Sequence, residues 1–178
     1  MRSLSIALSI VVSALAGCQT PSVKVHSNDS AAVDQVMLGE IAKLGGDWYS
    51  LDPEGNEIHA ATFSVTSQQS AVRELMYPGH EYEMTNLYHM DGENLVLTHY
   101  CAAGNQPRMM AAKATASDEG TVFQFDIDSV SNLRENHEHY MGYMTLTILG
   151  EDRVRQVWRS YDRKGALTDP MEIMLTRK

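Results

Sequence analysis

From Asp47 to the C-terminus, apolar and polar residues alternate in short segments that are separated by turn-forming residues. This alternation is typical of β-strands that bury one face and expose the other. Dipeptides such as Pro78-Gly79, Asp91-Gly92 and Glu119-Gly120 lie between consecutive segments and favour tight hairpins. Parallel strands need crossovers of about a dozen residues or more, so these short connections predict an antiparallel meander.

The alternation predicts about ten strands, and closing their sheet into a barrel would remove both edge strands. The predicted strands are Asp47–Leu51, Glu57–Thr66, Ala71–Tyr77, Glu81–Met90, Asn94–Cys101, Arg108–Thr115, Thr121–Asp128, Gly142–Leu149, Arg153–Tyr161 and Met171–Arg177. Only the connection Ser129–Met141 is long enough for another helical turn. We therefore expect a mostly β domain, a single antiparallel up-and-down barrel of about eight to ten strands whose lumen can hold one small ligand. A two-sheet sandwich is the alternative, but it would need longer crossovers.

One helix is predicted before the strands, in residues 30–44. Its apolar residues recur at spacings of three and four and share one face: Val33, Val36, Met37, Ile41 and Leu44. Asp29 or Ser30 can cap its start, and Gly45-Gly46 supplies residues that end a helix. The barrel is therefore expected to follow a single N-terminal helix of about 14 residues.

The first residues have the layout of a secretory signal peptide. Arg2 precedes an apolar stretch of about 12 residues, Leu4–Leu15, and small residues follow. A bilayer span needs about 20 apolar residues, so this length disfavours a membrane-spanning anchor. Leu15-Ala16-Gly17-Cys18 resembles the lipobox of bacterial lipoproteins. The resemblance implies cleavage before Cys18, acylation of that cysteine with a fatty acid such as palmitate, and a membrane-anchored N-terminus.

The residues around the cleavage site also suggest a location and a domain division. Gln19 stands where an aspartate would favour inner-membrane retention, so we expect an envelope lipoprotein of the outer membrane, facing the periplasm, if the organism is Gram-negative. Residues 18–29 are polar and lack periodicity, which predicts a lipidated tether. The expected division is a signal peptide in residues 1–17, the tether, and one folded domain in residues 30–178.

The charge balance and the cysteines exclude some classes of protein. The chain has 14 Lys and Arg against 23 Asp and Glu, for a formal charge of −9. Nucleic acid attracts basic patches, so we expect no nucleic-acid partner. Of the two cysteines, lipidation of Cys18 leaves only Cys101, so the domain is expected to be stable without an internal disulfide.

Two stretches resemble known groups of proteins. Gly46-Asp47-Trp48 follows the predicted helix and resembles the G-x-W motif of lipocalins. The resemblance implies that Trp48 packs against a late-chain arginine beneath the barrel, either Arg177 or Arg159. About ten strands match the fatty-acid-binding and nitrobindin-like calycins better than eight-stranded lipocalins. The stretch Glu83–Met109 resembles uncharacterised exported bacterial proteins and brings no known activity with it.

The strand Asn94–Cys101 carries the first candidate binding residues. One of its faces begins with two leucines and is expected to point into the lumen; it consists of Leu95, Leu97, His99 and Cys101. In an open lumen His99 can titrate or bind a metal, Cys101 can act as a thiolate, and Arg108 at the mouth can pair with a carboxylate ligand. The alternative is that His99 and Cys101 are ordinary hydrogen-bonded core residues.

Two further strands supply flexible or aromatic side chains for the lumen. Met84 and Tyr88 share a face of the strand Glu81–Met90, and Trp158 alternates with Val154 and Gln156. Thioether and amphipathic aromatic groups suit an adaptable, largely apolar ligand. The full set of expected ligand-binding residues is Met84, Tyr88, Leu97, His99, Cys101, Arg108 and Trp158.

Other kinds of chemistry have weaker support in the sequence. His137, His139 and Met141 could together suit copper, but an H-x-H in a polar loop is usually solvated, so no metal and no cofactor is expected. No G-x-S-x-G, P-loop or G-x-G-x-x-G motif is present. The sequence therefore favours a membrane-anchored lipoprotein that binds a small apolar or amphipathic ligand in its lumen. A barrel filled by its own side chains, with a structural or interaction role, stays open as an alternative, as does an enzyme that uses His99 and Cys101.

Overall fold

The computed structural model describes residues 35–137, 139–162 and 164–178. The predicted signal peptide, Cys18, the tether and residues 30–34 of the predicted helix lie outside these residues. Within them the chain forms one α-helix, one short 3-10 helix at Ser67–Gln69, and eleven strands. The helix is α1, Gln35–Ala42, and the strands are β1 Gly46–Leu51, β2 Glu57–Thr66, β3 Ala71–Met76, β4 Met84–Asp91, β5 Asn94–Tyr100, β6 Gln106–Ala111, β7 Ala114–Ser117, β8 Gly120–Ser131, β9 His139–Ile148, β10 Arg153–Asp162 and β11 Met171–Arg177.

The strands form a closed antiparallel barrel, which confirms the predicted architecture. Neighbours in sequence pair with each other from β1 to β6 and from β8 to β11, β1 pairs with β11, and β6 pairs with β8. The short strand β7 pairs with the first part of β8 and continues the line of β6. Ten strands therefore surround the lumen, and the hydrogen-bonded ring leaves no place for a two-sheet sandwich.

Most predicted strand boundaries are close to the observed ones, and the differences have local causes. The fourth strand begins at Met84 instead of Glu81, because residues 77–83 form turns in which the Glu83 carboxylate accepts the Gly79 N–H at 2.8 Å. The predicted strand Arg108–Thr115 is divided at Ala112 and Lys113, where the register against β8 changes. The connection Ser129–Met141, which is long enough for another helical turn, contains none among its described residues, because β8 extends to Ser131 and β9 begins at His139.

Helix α1 packs against β2, β3 and β4 and lies at one end of the barrel. We call this end the floor and the opposite end the upper end. Ile41 and Leu44 are buried against the barrel, as the spacing of the apolar residues predicts, and Leu38 is buried with them. Val36, which was predicted on the same face, is 59% exposed, so this part of the prediction was wrong. The chain then enters β1 at Gly46, whose φ of 118° is readily adopted by glycine and costly for other residues.

The floor is fixed by Trp48 and Arg177. The buried Trp48 indole donates its N–H to the Leu44 carbonyl at 2.7 Å. The Arg177 guanidinium lies 4.6 Å from the centre of the Trp48 ring and donates to the carbonyls of Lys43 and Gly45, both at 3.0 Å. A cation that satisfies carbonyls just after a helix also suits the negative end of the helix dipole. Of the two arginines expected beside Trp48, Arg177 is therefore the one in contact.

The inner face of the barrel carries the core. Large side chains from most strands meet there with almost no solvent exposure, among them Phe63, Tyr88, Leu97, Met109, Phe123, Phe125, Met144, Leu146 and Trp158. The period-two alternation of the strands brings these residues to one face and leaves polar residues outside. None of the helical segments in the described ranges has the length and apolar character needed to span a bilayer.

Candidate functional site

A group of buried polar side chains interrupts the apolar inner face between the middle and the upper end of the barrel. We call this group the upper network; its members are Glu74, Asn86, Tyr88, His99, Gln156 and Trp158, each at most 1% exposed. They come from the adjacent strands β3, β4 and β5 and from β10, which lies across the lumen. A polar group in such a position must find hydrogen-bond partners or destabilise the fold, so its partners identify its role.

Glu74 is the centre of the upper network. Its Oε2 accepts hydrogen bonds from the Tyr88 hydroxyl at 2.6 Å and from the Asn86 side-chain amide at 2.8 Å. Its Oε1 accepts from the Gln156 amide at 2.7 Å, a bond that crosses the lumen from β10 to β3. Three donors directed at two oxygens are the arrangement expected around a buried carboxylate.

The hydrogen bonds also fix the orientation of Gln156. The Trp158 indole N–H, which can only donate, points to Gln156 Oε1 at 3.0 Å. The amide nitrogen of Gln156 is therefore the atom that faces Glu74. Each donor on this side of the network therefore faces an acceptor, and no polar atom of Gln156 or Trp158 lacks a hydrogen-bond partner.

His99 ends the network on the other side. Because the Asn86 amide nitrogen donates to Glu74, the Asn86 oxygen faces His99, and His99 Nδ1 lies 2.7 Å from it. Nδ1 must then carry the hydrogen, since it donates to an oxygen. In the neutral imidazole the other nitrogen, Nε2, is left with a lone pair. Nε2 is buried and has no hydrogen-bond partner, while the His99 ring centre lies 5.1 Å from that of Trp158.

Burial changes the protonation of the network. It lowers the pKa of His99 to about 4, so the imidazole is neutral near pH 7. Burial also raises the pKa of the Glu74 carboxyl, although the hydrogen bonds from Asn86, Tyr88 and Gln156 act in the opposite direction. The pKa of the Tyr88 hydroxyl is raised well above its usual value, first by burial and then by the charge of Glu74. Both hydroxyl and imidazole therefore stay uncharged.

Asn105 places a second unpartnered atom on the same face. It begins the return from the β5–β6 turn, where the Cys101 N–H donates to the Asn105 carbonyl at 3.1 Å, and its side chain is fully buried. Its amide nitrogen lies 3.3 Å from His137 Nδ1, an atom that also accepts the Arg134 N–H. The Asn105 side-chain oxygen is thereby turned away from His137, and it has no hydrogen-bond partner.

The structure places most of the predicted ligand-binding residues on the inner face. Tyr88, Leu97, His99 and Trp158 are buried there, and Tyr88, His99 and Trp158 belong to the upper network. Met84 is half-buried, packs against the core and stands opposite Met76 in the β3–β4 pair.

Cys101 and Arg108 have different surroundings. Cys101 lies just after β5, half-buried, and its main chain forms the turn to β6. Arg108 lies between the buried residues Pro107 and Met109 on β6, so its side chain points out of the barrel. Its guanidinium donates to Asp128 at 2.6 Å and to Asp91 at 2.5 Å.

The sequence reasoning missed Glu74. A signal for it exists, because Glu74 alternates with Val72 and Met76 on a face that is otherwise apolar. A carboxylate at an inner strand position is rare unless it has partners. Those partners come from strands that are distant in sequence, and their approach cannot be read from alternation.

The histidines considered for copper lie near the upper end. His137 is half-buried beside Asn105, and His139 is exposed at the start of β9. Among the described residues there is no group of three or more His, Cys, Asp and Glu side chains that is arranged to hold a metal ion.

No protein-family model matches the chain, and no curated protein is significantly similar to it.

Proposed function

We propose that this chain is a lipid-anchored protein of the cell envelope that binds a small, largely apolar ligand in the upper lumen of its barrel. The observation that carries the proposal is His99 Nε2, a buried lone pair without a hydrogen-bond partner beside a network whose other members are satisfied. An unpaired buried polar group costs about 1–3 kcal/mol, and a ligand that donates to Nε2 would remove this cost.

The apolar part of the ligand would find its partners in the same region. Leu97 and Met109, opposite each other on β5 and β6, and Met144, opposite Trp158 on β9, offer apolar contact. His99 Nε2 is inaccessible to solvent, so a ligand can reach it only if neighbouring side chains move. Methionine side chains adapt with little strain, which suits them to this displacement.

Two features support the calycin-like character of the barrel. Trp48 of the G-x-W motif lies directly after α1, and Arg177 from the last strand covers its ring. This is the contact that the lipocalin resemblance implies. In such barrels one end is closed and the ligand enters at the other, which agrees with a closed floor and a polar site toward the upper end.

The anchoring part of the proposal depends on the lipobox-like residues Leu15-Ala16-Gly17-Cys18. Labelling of growing cells with an alkyne analogue of palmitate tests it. We expect label on the wild-type chain and on a Cys101→Ser variant, and no label on a Cys18→Ser variant. Label that persists in the Cys18→Ser variant would contradict anchoring at this residue.

Native mass spectrometry tests ligand binding. The mature chain is purified from the envelope in a mild detergent without refolding, and its native and denatured masses are compared. We expect an additional mass of a few hundred daltons that is lost on denaturation, as a drug-sized ligand would give. Leu97→Asp, placed in the lumen, should abolish the additional mass, whereas the same substitution at the exposed Leu133 should not. A folded Leu97→Asp variant that keeps the additional mass would refute the site.

A second candidate is a barrel that is filled by its own side chains and serves a structural or interaction role. The observation that favours it is the hydrogen bond from Gln156 to Glu74, which spans the lumen, together with bulky neighbours such as Phe125 and Trp158 that are fully buried. A bare protein mass for chain taken directly from the envelope would favour this candidate.

A further inference from the structure

The two polar atoms of the upper lumen that lack hydrogen-bond partners are both acceptors. His99 Nε2 carries a lone pair, because Nδ1 holds the hydrogen that is donated to Asn86. The Asn105 amide nitrogen faces His137, so the unpartnered atom of this side chain is the amide oxygen, Oδ1. Both atoms are buried and unpartnered, and both can only accept a hydrogen bond. A ligand with its own lone pairs directed at them would be repelled.

The two acceptors lie on neighbouring strands. The β5–β6 register pairs Leu97 with Met109, and the bond from the Cys101 N–H to the Asn105 carbonyl continues this register into the turn. His99 and Asn105 are thus diagonal neighbours on the inner face, with Cα atoms about 7–8 Å apart. Side chains of diagonal neighbours on one face are within reach of each other, so one group that donates two hydrogen bonds is the simplest partner for both acceptors.

No buried side chain of the described residues supplies a positive charge to this region. Glu74 is the one ionisable acid among the buried polar side chains of the described residues, and none of those side chains is Lys or Arg. Its three hydrogen-bond donors are neutral groups, so no buried basic side chain of the described residues forms an ion pair with it. The Trp158 ring lies against His99 and offers an aromatic face, which also attracts cations.

From these observations we infer that the upper lumen takes a ligand with a primary ammonium head, whose N–H groups donate to His99 Nε2 and Asn105 Oδ1. The inference rests on the proposed lumen-binding function and names its ligand class. An aliphatic carboxylate, which is the other common head group of small amphipathic molecules, has no donor for these two acceptors and would be repelled by their lone pairs. A hydroxyl head supplies one donor and would satisfy only one of the two atoms.

Three probes with the same alkyl body test the inference: octylamine, 1-octanol and octanoate. Each is titrated by calorimetry at pH 7 into the lipidated full-length mature chain in nanodiscs, and empty nanodiscs correct for partition into lipid. We expect octylamine to bind at least about tenfold more tightly than octanoate, with 1-octanol between them, since the ammonium donates to both acceptors, the hydroxyl to one and the carboxylate to neither.

Substitutions at Asn105 assign the preference to its side chain. Asn105→Leu removes the acceptor at nearly constant volume and should reduce the preference for octylamine over octanoate about tenfold. Asn105→Asp keeps an acceptor and adds negative charge, so it should increase the preference, and it serves as the test if the leucine variant does not fold. Gln124→Leu, which replaces an amide side chain at an exposed position on β8, is the control and should leave the preference unchanged.

Each contrary outcome has its own meaning. If octanoate binds as tightly as octylamine, and both compete with 1-octanol for one site, the ammonium assignment is overturned and the proposed lumen binding stands. A preference for octylamine that is unchanged in both Asn105 variants would overturn the site. Failure of all three probes to bind would overturn the ammonium assignment and would also count against the lumen as a binding site.

Discussion

The chain has two tryptophans, one near each end of the barrel, and both are buried with a hydrogen-bonded indole N–H. Trp48 at the floor donates to a main-chain carbonyl, Leu44 O, whose position is fixed at the end of α1. Trp158 donates to the side chain of Gln156, which leads through Glu74 and Asn86 to His99. The first arrangement closes the barrel with main-chain partners. The second is a relay of side chains that ends in an unpaired atom, and such a relay can respond to a ligand.

Removal of the carboxylate is expected to have the largest effect on the upper network. Glu74→Leu leaves donors of three residues without their acceptor, and breaking a buried charged network in this way costs about 3–5 kcal/mol. The free energy of unfolding in urea measures the loss. Glu172→Leu, at an exposed position on β11, is the control and should change stability little. A loss as small as in the control would mean that the upper network contributes nothing to stability and would remove the contrast with the floor.

The next largest effect is a dependence of stability on pH. His99 has a pKa of about 4 in the folded chain, lowered by burial from its usual value of 6.5. Between these values the unfolded chain binds the proton and the folded chain does not, so the free energy of unfolding falls as the pH decreases from about 6.5. The loss reaches about 3 kcal/mol near pH 4.

A His99→Gln variant isolates this effect. The raised pKa of Glu74 changes the free energy of unfolding with pH in the opposite direction. Above pH 4.5 the folded chain keeps a proton on Glu74 that the unfolded chain has lost, so this contribution to stability falls as the pH rises. Since Glu74 is present in both proteins, the difference between wild type and His99→Gln reports mainly on His99. His80→Gln, at an exposed position, is the control. Parallel pH profiles for wild type and His99→Gln would show that His99 is not held neutral by burial.

At the floor a smaller and purely structural effect is expected. Arg177→Lys replaces a planar guanidinium, which bonds two carbonyls and covers the Trp48 ring, by a single ammonium. We expect a loss of about 2 kcal/mol in urea unfolding with unchanged ligand binding. Arg153→Lys, exposed at the start of β10 near the same end, should show no loss. A floor variant that loses ligand while it stays folded would mean that the two ends are not independent.

The sequence predicts the barrel well because each strand carries its own alternation and each turn its own residues. The bounds of β2 and β11 agree with the prediction, and the G-x-W resemblance limits the floor contact to two arginines. The upper network depends on contacts between distant strands, such as Gln156 with Glu74, 82 residues apart. Local patterns cannot show such pairing, which explains why His99 and Trp158 were predicted and their connection through Glu74 was not.

The smallest expected effect is spectroscopic, and it sharpens the comparison most directly because each variant keeps one indole, near one end of the barrel. In a Trp48→Phe variant the remaining indole is Trp158, and in a Trp158→Phe variant it is Trp48. Octylamine bound at His99 would lie beside the Trp158 ring and far from the floor, so we expect it to change the fluorescence emission of the Trp48→Phe variant. The Trp158→Phe variant should show no change, since its indole is held between Leu44 O and Arg177. An equal response of both variants would place the probe elsewhere than in the upper lumen, and a response of Trp48 alone would assign binding to the floor.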